Sequence, residues 1–140
     1  YVTDVWDDIR EMTSGYLAGD EAIRIESGER FHKQQSPIAL LLRIILSSTK
    51  VGDTVLDPFS GTGTTSVVAH QLKRNSVAIE IDPKNAKCIE ERLATLRDAD
   101  DVGKYYKEYI CTDELERVWG SKVVNVGRKK KLGNLELVAT

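Results

Sequence analysis

The chain has 140 residues, 41% hydrophobic and 30% charged, with a formal net charge of −2, which is the composition of one modest globular domain. Those figures exclude a disordered segment, and the overall acidity excludes a uniformly basic nucleic-acid surface. The richest apolar run, Ile38 to Leu46, has the length of a buried helix and is too short to cross a bilayer.

The opening YVTDVWDDIR lacks the basic-then-apolar order of a signal peptide. Tyr1 in place of Met leads us to expect a fragment or a trimmed product. Residues 1–30 are polar and punctuated by Gly15, Gly19 and Gly28, which reads as loop with a short element around Val5-Trp6. In SPIALLLRIILSS, Ser36 is expected to cap a helix whose first position is Pro37. The residues that follow are apolar almost all round, so burial on more than one face is expected, with Gly52-Asp53 ending the helix.

Thr54-Val55-Leu56 reads as a short buried strand, and a helix is expected from about Thr64 to Lys73. Ser76 to Ile81 reads as a second strand. Asp82-Pro83 then caps a helix in which Ala86, Ile89, Leu93 and Leu96 recur at helical spacing, with Cys88 packed beside them. Strand, glycine turn, helix, strand, helix makes a parallel crossover unit, right-handed by the usual rule. Beyond Arg97 the pattern weakens: DADD is a charged break and 104–109 is too short to assign. Lys122 to Val126 and Leu135 to Val138 could pair as a hairpin, and the basic run Gly127 to Lys131 reads as its solvated turn in preference to a local nucleic-acid patch.

Cys88 and Cys111 stand far apart, and His32 and His70 join them in no ligand spacing. Neither a disulfide framework nor a metal site is expected, and a reducing cytoplasm is the simpler setting.

Between the two strands lies Asp57-Pro58-Phe59-Ser60-Gly61-Thr62-Gly63. A glycine turn that leaves a strand and enters a helix gathers backbone N–H groups and a helix N-terminus at one spot. Asp57 falls at the carboxyl end of the first strand, where open parallel sheets bind ligands, and Glu80 ends the second. An acid about 20 residues past such a turn typically takes a pair of ribose hydroxyls. No Lys-Ser/Thr follows Gly63, which disfavours a nucleoside triphosphate loop. Ser66 stands where a dinucleotide fingerprint has its third glycine, which weakens that reading too. A ligand with a ribose and a carboxylate but no phosphate fits, and S-adenosylmethionine is one.

The stretch Leu56 to Thr65 resembles the D-P-F-x-G-x-G-T-T motif of DNA amino-methyltransferases, which methylate adenine N6 or cytosine N4. Ala78-Ile79-Glu80-Ile81-Asp82 is similar to the family's next motif. His32, Gln35 and Pro37 match the H-P-x-Q-K-P segment of permuted members; Lys33 and Ser36 depart from it, so the lysine contact is not carried over. Asp4 to Asp7 resembles the family's link to its target-recognition region. The resemblance runs roughly from Tyr1 to Leu96.

It implies a partial doubly wound, Rossmann-like α/β methyltransferase fold. Residues 1–35 would end the recognition region, 36–99 form the cofactor-binding core, and 100–140 form an extension. It further implies that Phe59, Ser60 and the Gly61, Gly63 and Thr64 backbone cradle the methionine portion of S-adenosylmethionine, with Asp57 at its amine. Glu80 would hold the ribose, Ile81 would pack on the adenine, and Gln35 and Pro37 would complete the site. The hydroxyls of Thr64 and Thr65 are as readily helix caps as cofactor contacts.

The family's catalytic Asp/Asn/Ser-Pro-Pro-aromatic motif is not present: the prolines are Pro37, Pro58 and Pro83. No catalytic residue is therefore expected in this chain. Two strands alone also make a poor sheet with open apolar edges. The expectation is a cofactor-binding part that acts on double-stranded DNA with a further segment, upstream or in a partner subunit. An inactive remnant, an RNA methyltransferase and a nicotinamide-dependent oxidoreductase fragment are the alternatives.

Overall fold

The computed structural model describes residues 5–9, 12 and 19–120. The expected hairpin strands and the basic run at 128–131 lie outside the described residues. Helix α1 spans Ile38–Ser48, strand β1 Thr54–Asp57, helix α2 Thr64–Gln71, strand β2 Asn75–Ala78, helix α3 Pro83–Ala94 and helix α4 Leu115–Trp119. Val5-Trp6 forms neither helix nor strand, although Asp8 reaches Arg43 of α1 through two hydrogen bonds of 2.8 and 2.5 Å.

Helix α1 begins one residue later than its sequence suggests, and its cap comes from elsewhere. Pro37 is the N-cap and has no side chain to offer, while Ser36 makes no cap bond. The Ile38 N–H instead donates to Glu21 Oε2 at 3.1 Å. A carboxylate there satisfies an orphan donor and opposes the positive end of the helix dipole. One face of α1 is sealed, with Ile38, Leu42 and Ile45 fully buried at spacings of four and three. Leu41 and Leu46 pack at its margins, but Ile44 is exposed, so burial is not all round.

Strands β1 and β2 run parallel in the register Thr54↔Asn75, Val55↔Ser76, Leu56↔Val77 and Asp57↔Ala78. α2 connects them, packs on both, and also meets α1 and α3. β2 stops at Ala78 rather than Ile81 because β1 turns away after Asp57. The Ile79 N–H still reaches Asp57 O at 2.9 Å, but Ile79 O accepts from Ser60 N in the turn. α2 likewise ends short of Lys73, which adopts a left-handed φ of 62°. Lys73 N donates to His70 O and Arg74 N to Ala69 O, the paired bonds of a Schellman cap. The guanidinium of buried Arg74 then bonds Leu72 O, Thr49 O and Thr49 Oγ1, tying together the carboxyl ends of α1 and α2.

The main core joins Leu42 and Ile45 of α1 to Val68, Ala69 and Leu72 of α2 and to Val102, Leu115 and Trp119. Packing is therefore continuous across residue 99. A 3-10 stretch, Val102–Tyr109, carries Tyr106 and Tyr109 against the Trp119 ring, with centroids 5.4 and 5.6 Å away. A second cluster, Val67, Ile89 and Leu93, seats α3 on α2 as its helical stripe predicts. The side chain of Asp82 caps α3 by accepting from Lys84 N at 2.8 Å, also as expected.

The two faces of the sheet differ. Val55 and Ala78 point into the packed side, under the helices. Leu56, Val77 and Ile79 share the other face and remain exposed.

Candidate functional site

The site grows from the turn between β1 and α2. Asp57 Oδ1 accepts from Phe59 N at 3.1 Å, and Asp57 O accepts from Ser60 Oγ at 2.8 Å. Ser60 N bonds Ile79 O and Gly63 N bonds Ser60 O, so the turn is closed on itself and on the start of the loop after β2. The Ser60 hydroxyl is thus engaged in shaping the loop.

Gly63 requires glycine twice over. Its φ is +76°, and an added Cβ would stand 2.7 Å from Ile89 Cγ1. The close approach of α2 and α3 that a third glycine would have provided is made here by Gly63. Gly61, also left-handed, lies beside the His32 ring.

Glu80 grips the loop across the crossover. Its Oε2 accepts from Gly61 N at 2.7 Å and its Oε1 from Asp82 N at 2.8 Å. Burial pushes its carboxyl up, but the N–H of Asp82, the Asn85 side chain and the N–H of Gly61 outweigh it and hold the group below its ordinary value. Glu80 is therefore ionised at neutral pH.

A recess of about 130 Å³ opens against the loop, lined by Asp57, Phe59, Ser60, Gly61 and Thr62 on one side and by His32 and Gln35 on the other. That volume is small beside the roughly 300–1,000 Å³ of a typical ligand pocket. Phe59, which lines it, is 90% exposed, and Ile81, after β2, is 97% exposed. Large apolar side chains held so bare offer flat surfaces for a ligand or partner.

Not every expected site residue faces the recess with a free group. Gln35 lines it, but its Oε1 accepts from Ile23 N at 3.0 Å and its Nε2 donates to Glu21 O at 2.8 Å. Its amide braces the wall. Pro37 ends that wall as the α1 N-cap. Thr64 is buried and its hydroxyl caps nothing: Gly63 is the N-cap of α2, and Thr64 Oγ1 accepts from Arg92 Nη1 at 3.3 Å.

Arg92 escapes the motif reading altogether. It lies buried on α3 one turn from Ile89, and its Nη1 donates to Thr62 O at 2.6 Å, beneath the glycine loop. Its Nε and Nη2 bind both oxygens of Asp100, at 3.1 and 2.9 Å. The signal available in the sequence is a charge placed on the apolar stripe of a helix. Among the described residues, no group of three or more His, Cys, Asp or Glu could hold a metal ion. No helix among them is long and apolar enough to cross a membrane.

Residues 1–91 match the family model described as DNA methylase, that of the N6/N4 methyltransferases. Over 79 residues, 56% of this chain, it is 47% identical to the Type II methyltransferase M.HinfI of Haemophilus influenzae. Over 93 residues, 63% of this chain, it is 39% identical to the Type II methyltransferase M2.DpnII of Streptococcus pneumoniae. The matched regions span 22% and 35% of those two proteins.

Proposed function

From the premise that the chain belongs to the DNA amino-methyltransferase family, we propose that it is the S-adenosylmethionine-binding part of a DNA methyltransferase acting on adenine N6 or cytosine N4. The observation that carries this reading is Glu80: an ionised carboxylate locked to the glycine turn at the carboxyl ends of two parallel strands. It suits a ribose diol, whose two hydroxyls donate, and it repels phosphate.

Phe59, Gly61, Gly63 and Thr64 would frame the methionine portion, with Asp57 facing its amine. The exposed face of Ile81 would lie against the adenine. The cofactor supplies an electrophilic methyl on sulfur; these residues bind and orient it, and alignment is the main catalytic lever in such a transfer. The amino-group acceptor and the stacking aromatic that a flipped base requires would come from a Pro-Pro motif outside this chain. The exposed sheet face of Leu56, Val77 and Ile79 supports that reading, because in a doubly wound, Rossmann-like fold further crossover helices would cover it. Double-stranded DNA is then the substrate of the completed enzyme, in the cytoplasm.

The test is transfer of labelled methyl from S-adenosylmethionine to duplex DNA, with and without a Pro-Pro-bearing segment from a relative. The chain alone should label nothing and the complemented chain should label amino groups. Labelling by the chain alone would overturn the division of labour. Displacement of bound cofactor by a nicotinamide dinucleotide would overturn the assignment.

A further inference from the structure

Beneath the recess runs a connected set of charged groups. Asp100, fully buried, accepts from Arg92 through both oxygens and from Arg97 at 2.6 and 2.8 Å. Gln71 of α2 fixes this corner by donating to Asp100 O and accepting from Val102 N. From Asp100 the set branches to both walls of the recess. One branch is Arg92 to Thr62 O, under the glycine loop. The other is Arg97 Nη2 to Glu21 O at 2.9 Å, the same carbonyl that Gln35 Nε2 holds. The Glu21 carboxylate in turn caps α1 and accepts from Tyr105 Oη at 3.1 Å.

Such a cluster is a poor device for stability alone. Desolvating two guanidiniums and a carboxylate is costly, and apolar residues of similar volume would often do as well. What it does supply is directional bonding to two backbone carbonyls in separate segments. A planar fork fixes angle as well as distance. Arg92, Arg97 and Asp100 all lie beyond residue 91, where the family match ends.

We propose that Arg92, Asp100 and Arg97 are positioning residues that set the spacing between the glycine-loop wall and the 32–37 wall, and so the affinity for cofactor. The inference rests on the proposed S-adenosylmethionine site. Arg92 pulls the Thr62 carbonyl inward, which keeps Gly61 N directed at Glu80; Arg97 holds the opposite wall through Glu21. Lysine at 92 keeps the charge but loses the fork.

The experiment compares full-length chains by calorimetric titration with S-adenosylmethionine and by amide exchange at Gly61 and Gly63. Arg92→Lys and Asp100→Asn should weaken binding by about ten- to a hundredfold, the value of one or two charge-assisted hydrogen bonds. Exchange at Gly61 should quicken while that at Val68 and Leu72 stays slow. Arg97→Gln, whose site is 30% exposed and tolerates change, should weaken binding in the same direction and to a lesser degree. The control is Arg74→Lys, an equally buried arginine that touches neither wall: it should lower the melting temperature and leave the affinity within about twofold.

Unchanged affinity and unchanged Gly61 exchange in Arg92→Lys and Arg97→Gln would overturn the proposal. So would an Arg74→Lys chain as weakened as Arg92→Lys, since that marks a global effect. If the wild-type chain binds no S-adenosylmethionine, the functional reading falls, and Gly61 exchange alone then decides whether the clamp exists.

Discussion

The packed face of the β1–β2 sheet and its bare face carry the same kinds of residue and do different work. Under the helices, Val55 and Ala78 meet the apolar sides of α1, α2 and α3. On the other side, Leu56, Val77 and Ile79 stay exposed, as do Phe59 and Ile81. Strands with apolar residues on both faces belong to sheets covered on both faces. The difference teaches that, among the described residues, the core lies on one side of the sheet only.

The comparison breaks first if the packed side is not what holds the fold. Leu42→Ala, at a fully buried position of α1, should cost about 3–5 kcal/mol in a denaturant titration. Next in size is the loop at the edge between the two faces. Gly63→Ala forces a left-handed φ on alanine and drives its Cβ toward Ile89, for a loss of about 2–4 kcal/mol.

Acid should act on the packed side through Asp100. Burial raises its carboxyl, but the hydrogen bonds of Arg97 and Arg92 win and hold it below the ordinary 3.8; Glu80 is likewise held below its ordinary 4.5. A depressed carboxylate stabilises the fold above its unfolded value, and that stability is lost as pH falls through the folded value. The thermal midpoint should stay flat from about pH 8 to 5 and fall below about pH 4, and the fall should shrink in Asp100→Asn. The smallest effect belongs to the bare face: Leu56→Thr should change the stability of the chain by no more than about 0.5 kcal/mol, because an exposed side chain gives up little. The same variant should impair complementation by the Pro-Pro-bearing segment.

Much of this was legible because the motif is local. The glycine turn, the crossover between two parallel strands and the Asp82-Pro83 start of α3 are each written within a dozen residues. The misses are long-range. Ser36 looked like the cap of α1, but Glu21 supplies it from a loop far upstream. β2 ends at Ala78 because its partner strand leaves, which no residue of β2 encodes. The Val102–Tyr109 stretch buries its aromatics on Trp119 without a clear helical stripe. In the site, Asp57, Glu80 and the two glycines could be named from the motif. Arg92 and Asp100 could not be paired, because the turn after α3 that joins them reads as a charged break. Gln35 and Thr64 were found as positions, but their polar groups face inward to other partners.

The central claim is that Glu80 and the glycine turn hold S-adenosylmethionine, and calorimetric titration of the wild-type and Glu80→Gln chains tests it most directly. The account predicts saturable one-to-one binding by the wild type and a loss of about tenfold or more in Glu80→Gln, where one charged acceptor becomes a neutral amide. Equal binding by both chains, or none by the wild type, would contradict it.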